Sequence, residues 1–150
     1  MKKYILCLCV MFPMFALAGV MPTVPGAINP NVTQANIHQT ICVPGYTKTI
    51  RPPASYTNAL KRKQLAGASD TNLRDYEEDH LISLEIGGSP TSPDNLWPEP
   101  YNPVGGWGAH KKDQLENELH KMVCNGSISL SDAQKAISTD WVKAYVLYVK

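Results

Sequence analysis

Cysteine is scarce in this chain: of its four cysteines in 150 residues, only Cys42 and Cys124 lie beyond the first eighteen positions. Neither belongs to a Cys-x-x-Cys pair, which argues against a zinc knuckle or a dithiol redox motif. Charge of either sign is also short in excess, with 14 Lys and Arg against 13 Asp and Glu, a formal +1. Bulk electrostatics therefore does not advertise a nucleic-acid partner. There is no internal repeat and no low-complexity tract, which leaves a solenoid without support. The length suits one domain rather than two.

The one strongly apolar run stands at the start. Lys2 and Lys3 precede an almost wholly apolar stretch from Tyr4 to Leu17, and Ala16-Leu17-Ala18 offers small residues where a signal peptidase reads. The run is about fourteen residues long and contains Pro13, whereas a spanning helix needs about twenty. Residues 1–18 are therefore expected to be a bacterial-type signal peptide, with export to the periplasm or medium and no membrane span afterwards. Removing Lys2 and Lys3 takes the 14 basic residues to 12 against 13 acidic, a formal −1. Two cysteines in an exported domain are expected to pair, here Cys42 with Cys124.

Residues 19–32 are rich in Pro, Gly and small side chains and read as an extended or mobile arm; residues 33–150 read as a single domain. A short helix is expected over Thr33–Ile41 with Thr33 as N-cap. A short strand is expected over Tyr46–Arg51, a helix over Ser55–Leu65, a polar loop over Gly67–Asn72 and another loop over Pro98–Gly108. Leu115, Leu119, Met122 and Val123 recur at i, i+4, i+7 and i+8, one apolar stripe on a helix ending near Cys124. Ser131 with Gln134 makes a capping-box pattern for the next helix. Asp140 is expected to cap a last one carrying Trp141, Ala144, Tyr145 and Tyr148. The class predicted is α+β, mostly helical with a short β-hairpin.

The chemistry concentrates in Tyr76-Glu77-Glu78-Asp79-His80-Leu81-Ile82-Ser83-Leu84-Glu85-Ile86-Gly87-Gly88 and the following Asp94-Asn95-Leu96-Trp97. An acid adjoins a histidine on one arm of a predicted hairpin, and an amide returns on the other. Such a set suits metal-assisted hydrolysis of a phosphodiester. Over roughly residues 76–124, these motifs resemble the HNH family of ββα-metal endonucleases. The resemblance implies His80 as general base, Asp79 as ligand to one divalent ion, and Asn95 as a second ligand or the residue aligning the base. It also implies His110 as a further metal ligand, with His120 the other candidate. Mg²⁺ is the expected ion because carboxylates prefer hard cations, with Mn²⁺, Ni²⁺ or Zn²⁺ as substitutes. Nucleic acid, DNA ahead of RNA, is the implied partner. Lys61, Arg62 and Lys63 are read either as contacts to its backbone or as an ordinary solvated helix face. A strand-geometry difficulty stands beside this: neighbours such as Asp79 and His80 point to opposite faces unless the strand ends or bulges there. The competing reading is an inactive HNH-like scaffold acting as an exported binding protein.

Overall fold

A computed structural model describes residues 21–68 and 71–150. The expected leader and the first residues of the arm lie outside them. In chain order the elements are α1 (Tyr46–Ile50), α2 (Ala54–Gln64), β1 (Tyr76–His80), β2 (Leu96–Pro100), α3 (Ala109–Cys124) and α4 (Leu130–Tyr148), with short 3₁₀ turns between. The class is α+β, with β1 and β2 forming an antiparallel two-stranded sheet. None of the helices among the described residues is long and apolar enough to cross a membrane.

The core forms where the stripe of α3 meets α4. Leu115, Leu119 and Val123 are fully buried, packed with Ala133, Ile137 and Trp141 of α4 and with Ile82 and Ile86 from the loop between the strands. Burying each large aliphatic side chain contributes about 1.5–3 kcal/mol. Trp107 closes this layer edge-on, its ring centroid 6.0 Å from Trp141 and 5.4 Å from Tyr145. The Cys42–Cys124 disulfide, with Cα atoms 5.6 Å apart, ties the C-terminal end of α3 to the turn before α1.

Polar side chains, rather than an apolar stripe, attach α2. It buries no residue completely. Lys61 Nζ donates to the carbonyls of Leu73 (2.9 Å) and Tyr76 (2.7 Å), and Gln64 Nε2 donates to Leu96 O (2.8 Å). Those bonds hold α2 against both strands of the hairpin and make one wall of the cleft described below.

The arm is docked rather than loose. Gly26 N–H donates to Asp94 O, Asn29 N–H to Gly87 O and Ser89 N–H to Ala27 O, each at 2.8 Å. Ile28 and Gly88 form an antiparallel bridge, and Val32 is buried in the core. At Gly88 the backbones come so close that a Cβ would lie 1.7 Å from Ile82 O, so only glycine fits.

Local departures from expectation have local causes. Residues 46–50 form a helix, not a strand: Arg51 N–H finds Thr47 O at 3.0 Å, a bond that needs no partner strand. The segment capped by Thr33 is a 3₁₀ turn, Gln34–Gln39, with Asn36 Oδ1 accepting from Thr33 N–H at 2.8 Å. The expected loop from Pro98 begins later, because Pro98 and Pro100 still pair with Glu78 and Tyr76. Ser129, not Ser131, caps α4, its Oγ accepting from Asp132 N–H at 3.1 Å, while Gln134 reaches Ile86 O instead. Asp140 does interrupt this helix, with extended φ −163° and ψ 89°, and caps the remainder through Lys143 N–H at 3.0 Å. Asp140→Ala is expected to cost about 1 kcal/mol and to lower the melting temperature by about 3–5 °C. An unchanged melting temperature would assign the break to the backbone alone.

Candidate active site

Strand β1 pairs with β2 in unbroken register, from Tyr76 opposite Pro100 to His80 opposite Leu96. With no bulge, alternate side chains take opposite faces. Glu78 and His80 share the face toward α2, while Glu77 and Asp79 share the face toward α3. The adjoining acid and imidazole therefore do not converge on one point, contrary to the arrangement expected of them.

On the α2 side, Arg51, Asn58, Lys61, Glu78, His80 and Tyr101 are among the residues lining a cleft of about 310 Å³. His80 is buried in its floor, with Nε2 3.0 Å from Pro90 O. A carbonyl only accepts, so Nε2 carries the proton and Nδ1 keeps a lone pair. Burial lowers the imidazole pKa, outweighing the opposing effects of the Pro90 carbonyl and Asp79, and the ring is neutral at physiological pH. Burial raises the Glu78 carboxyl to about 7, against the pull of Lys61.

Asn95 is fully buried and its amide is fully used. Oδ1 accepts from Ile82 N–H (2.9 Å) and Ala27 N–H (3.3 Å), and Nδ2 donates to Ile82 O and Ser89 O, both at 3.0 Å. It ties together the arm, the loop between the strands and the start of β2. Its role is to hold the loop carrying Pro90, and through Pro90 the ring of His80.

On the other face, Asp79 meets a lysine. The fully buried Lys112 Nζ donates to Asp79 Oδ2 at 2.5 Å, to His80 O at 2.8 Å and to Glu116 Oε1. Glu99 completes the cluster from β2 and is itself buried. Burial works to raise the Asp79 pKa, but Lys112 and the hydrogen bond from it prevail, and the group is held below its ordinary value. Burial would lower Lys112, yet Asp79, Glu116 and Glu99 together raise it, so it stays charged. One ammonium cannot satisfy three crowded carboxyls: burial pushes Glu99 up to about 10 and Glu116 up to about 8. Glu99 thus carries a proton at neutral pH, and neither of its buried carboxyl oxygens has a hydrogen-bond partner among the described residues.

His110 is not brought to Asp79. It lies two residues before Lys112, about 200° around the helix, with its side chain 76% exposed, 3.9 Å from Asp113 and stacked obliquely on Tyr101. The expected pair of Asp79 and His110 therefore does not fit a shared divalent ion. His120 Nε2 bonds Ile41 O at 3.0 Å beside the disulfide; Cys42, His120 and Cys124 lie within metal-ligand range, but the two sulfurs are bonded to each other. The basic block divides: Lys61 is half-buried and braces β1, while Arg62 and Lys63 are exposed.

Sequence reasoning missed Lys112, Glu116 and Glu99. A signal existed for the first two, since Lys112 and Glu116 continue the Leu115/Leu119 face at helical spacing. No family model, no curated protein and no solved structure matches the chain.

Proposed function

We propose that the chain is an exported nuclease that hydrolyses phosphodiester bonds, DNA ahead of RNA, in the cleft floored by His80. One observation carries this reading: a neutral imidazole, its tautomer set by the Pro90 carbonyl, lines the same cleft as the cationic residues Arg51 and Lys61. His80 Nδ1 takes the proton from the attacking water, and a well-placed base of this kind contributes about 10²–10⁴-fold. Arg51 and Lys61 attract the phosphate and offset the charge that grows on its oxygens. Glu78, on the same strand face, is the group to return a proton to the leaving oxygen. Asn95 acts at one remove, by fixing the loop that fixes the ring. Exposed Arg62 and Lys63 extend the positive surface along α2 for the flanking backbone.

The test incubates plasmid DNA and single-stranded RNA with the wild-type protein and with His80→Ala, each with and without chelator. Cleavage by the wild type that is lost in the variant is the expected result; equal cleavage by both would reject it. A second reading, a non-hydrolysing binding scaffold, draws on the internal saturation of Asp79 and Asn95. It predicts nucleic-acid or envelope binding without cleavage by either protein.

A further inference from the structure

We infer that the ammonium of Lys112 is this chain's own cation at the junction of the hairpin and α3, standing where a divalent metal ion would otherwise be held. Its three N–H bonds meet three oxygens from two segments: Asp79 Oδ2 and the main-chain carbonyl of His80, both of β1, at 2.5 and 2.8 Å, and Glu116 Oε1 one helical turn along α3. An ammonium has three donors, and here all are used. No part of the residue reaches solvent. The carboxyl of Glu99 stands in the same cluster.

This set of hard oxygen donors around a single buried positive centre is what Mg²⁺ or Mn²⁺ would select. A resident ion would have to displace the ammonium from its buried place. Lys112 serves also as a positioning residue: its bond to His80 O pins the last residue of β1 to α3 while the ring of that residue faces the cleft. The centre is consequently independent of metal supply, and the catalytic reading of His80 is not required for it to hold.

The experiment uses the chelator-stripped protein and Mn²⁺ as probe, following free Mn²⁺ by electron paramagnetic resonance and stability by thermal unfolding. Wild type is expected to take up no Mn²⁺ stoichiometrically and to melt at one temperature with chelator or with Mn²⁺. Lys112→Ala empties the cationic position while leaving its oxygens, and is expected to bind a single Mn²⁺ and to melt higher in its presence. Lys112→His, which fills more of the space, makes the same comparison if the alanine variant does not fold. Stoichiometric uptake by wild type that Asp79→Asn abolishes would overturn the inference. So would a folded Lys112 variant that gains no Mn²⁺ affinity. Neither readout involves cleavage, so failure here and failure of the nuclease assignment are separable.

Discussion

Replacing Cys42 and Cys124 together by serine is expected to remove about 4–5 kcal/mol of stability. The two residues are 82 positions apart, and the chain-entropy relation gives a loop of that size roughly this value. A domain of this kind has about 5–15 kcal/mol in all, so the variant should lie near its folding threshold. The bridge also has no near substitute. It joins the end of α3 to a segment whose other attachments are few, among them Ile41 and Ile37 in the core, the bond from Leu130 N–H to Gln34 Oε1 and the bond from His120 to Ile41 O. Denaturant titration of wild type, of wild type with reductant, and of the double variant is the check. The last two should unfold together at much lower denaturant. Coincident curves for all three would mean that the crosslink constrains little.

Glu99→Gln is expected to stabilise the protein at neutral pH, although it changes a fully buried side chain. In the fold the Glu99 carboxyl is raised from 4.5 to about 10, chiefly by burial. Unfolded at pH 7 it is ionised, so folding must return a proton to it. Its contribution is therefore fully present below about pH 4.5 and is lost progressively as pH rises toward 10. At pH 7 the deficit reaches roughly 3 kcal/mol. An amide of the same shape needs no proton to enter the fold. Urea unfolding should show a gain of about 1–3 kcal/mol at pH 7 and little difference at pH 4. A loss at pH 7 would show instead that an ionised Glu99 is needed.

The hairpin was legible because its punctuation is chemical: the Gly-Gly close approach, the alternating residues before it and the returning Asn-Leu-Trp each have a steric or hydrogen-bonding reason. The helix of Leu115 and Leu119 was legible from its period, the Asp140 cap from its side chain, and the Cys42–Cys124 pairing from the lack of any other partner. What was not legible depended on which face of β1 meets which helix. Alternation states that Asp79 and His80 diverge, but not that a lysine awaits the first. Lys112 shares the apolar stripe, yet lysine is so seldom fully buried that its place on that stripe reads as solvent-facing. His110 was singled out for its residue type, and its position at the start of α3 turns it outward. The helix at Tyr46–Ile50 was missed because five weakly alternating residues carry too little pattern to oppose a locally closed turn.

The docking of the arm has a consequence for the order in which the molecule assembles. Ala27 N–H and Asn95 Oδ1 meet across 68 positions, and Gly26 and Asn29 bond the same loop. Helices α3 and α4 and the two strands can find one another over shorter spans, but the segment holding Pro90 acquires its final shape only when the distant arm arrives. Contacts of long sequence separation form late and slowly. The ring of His80 should accordingly be among the last features to settle, after the scaffold around it is already in place.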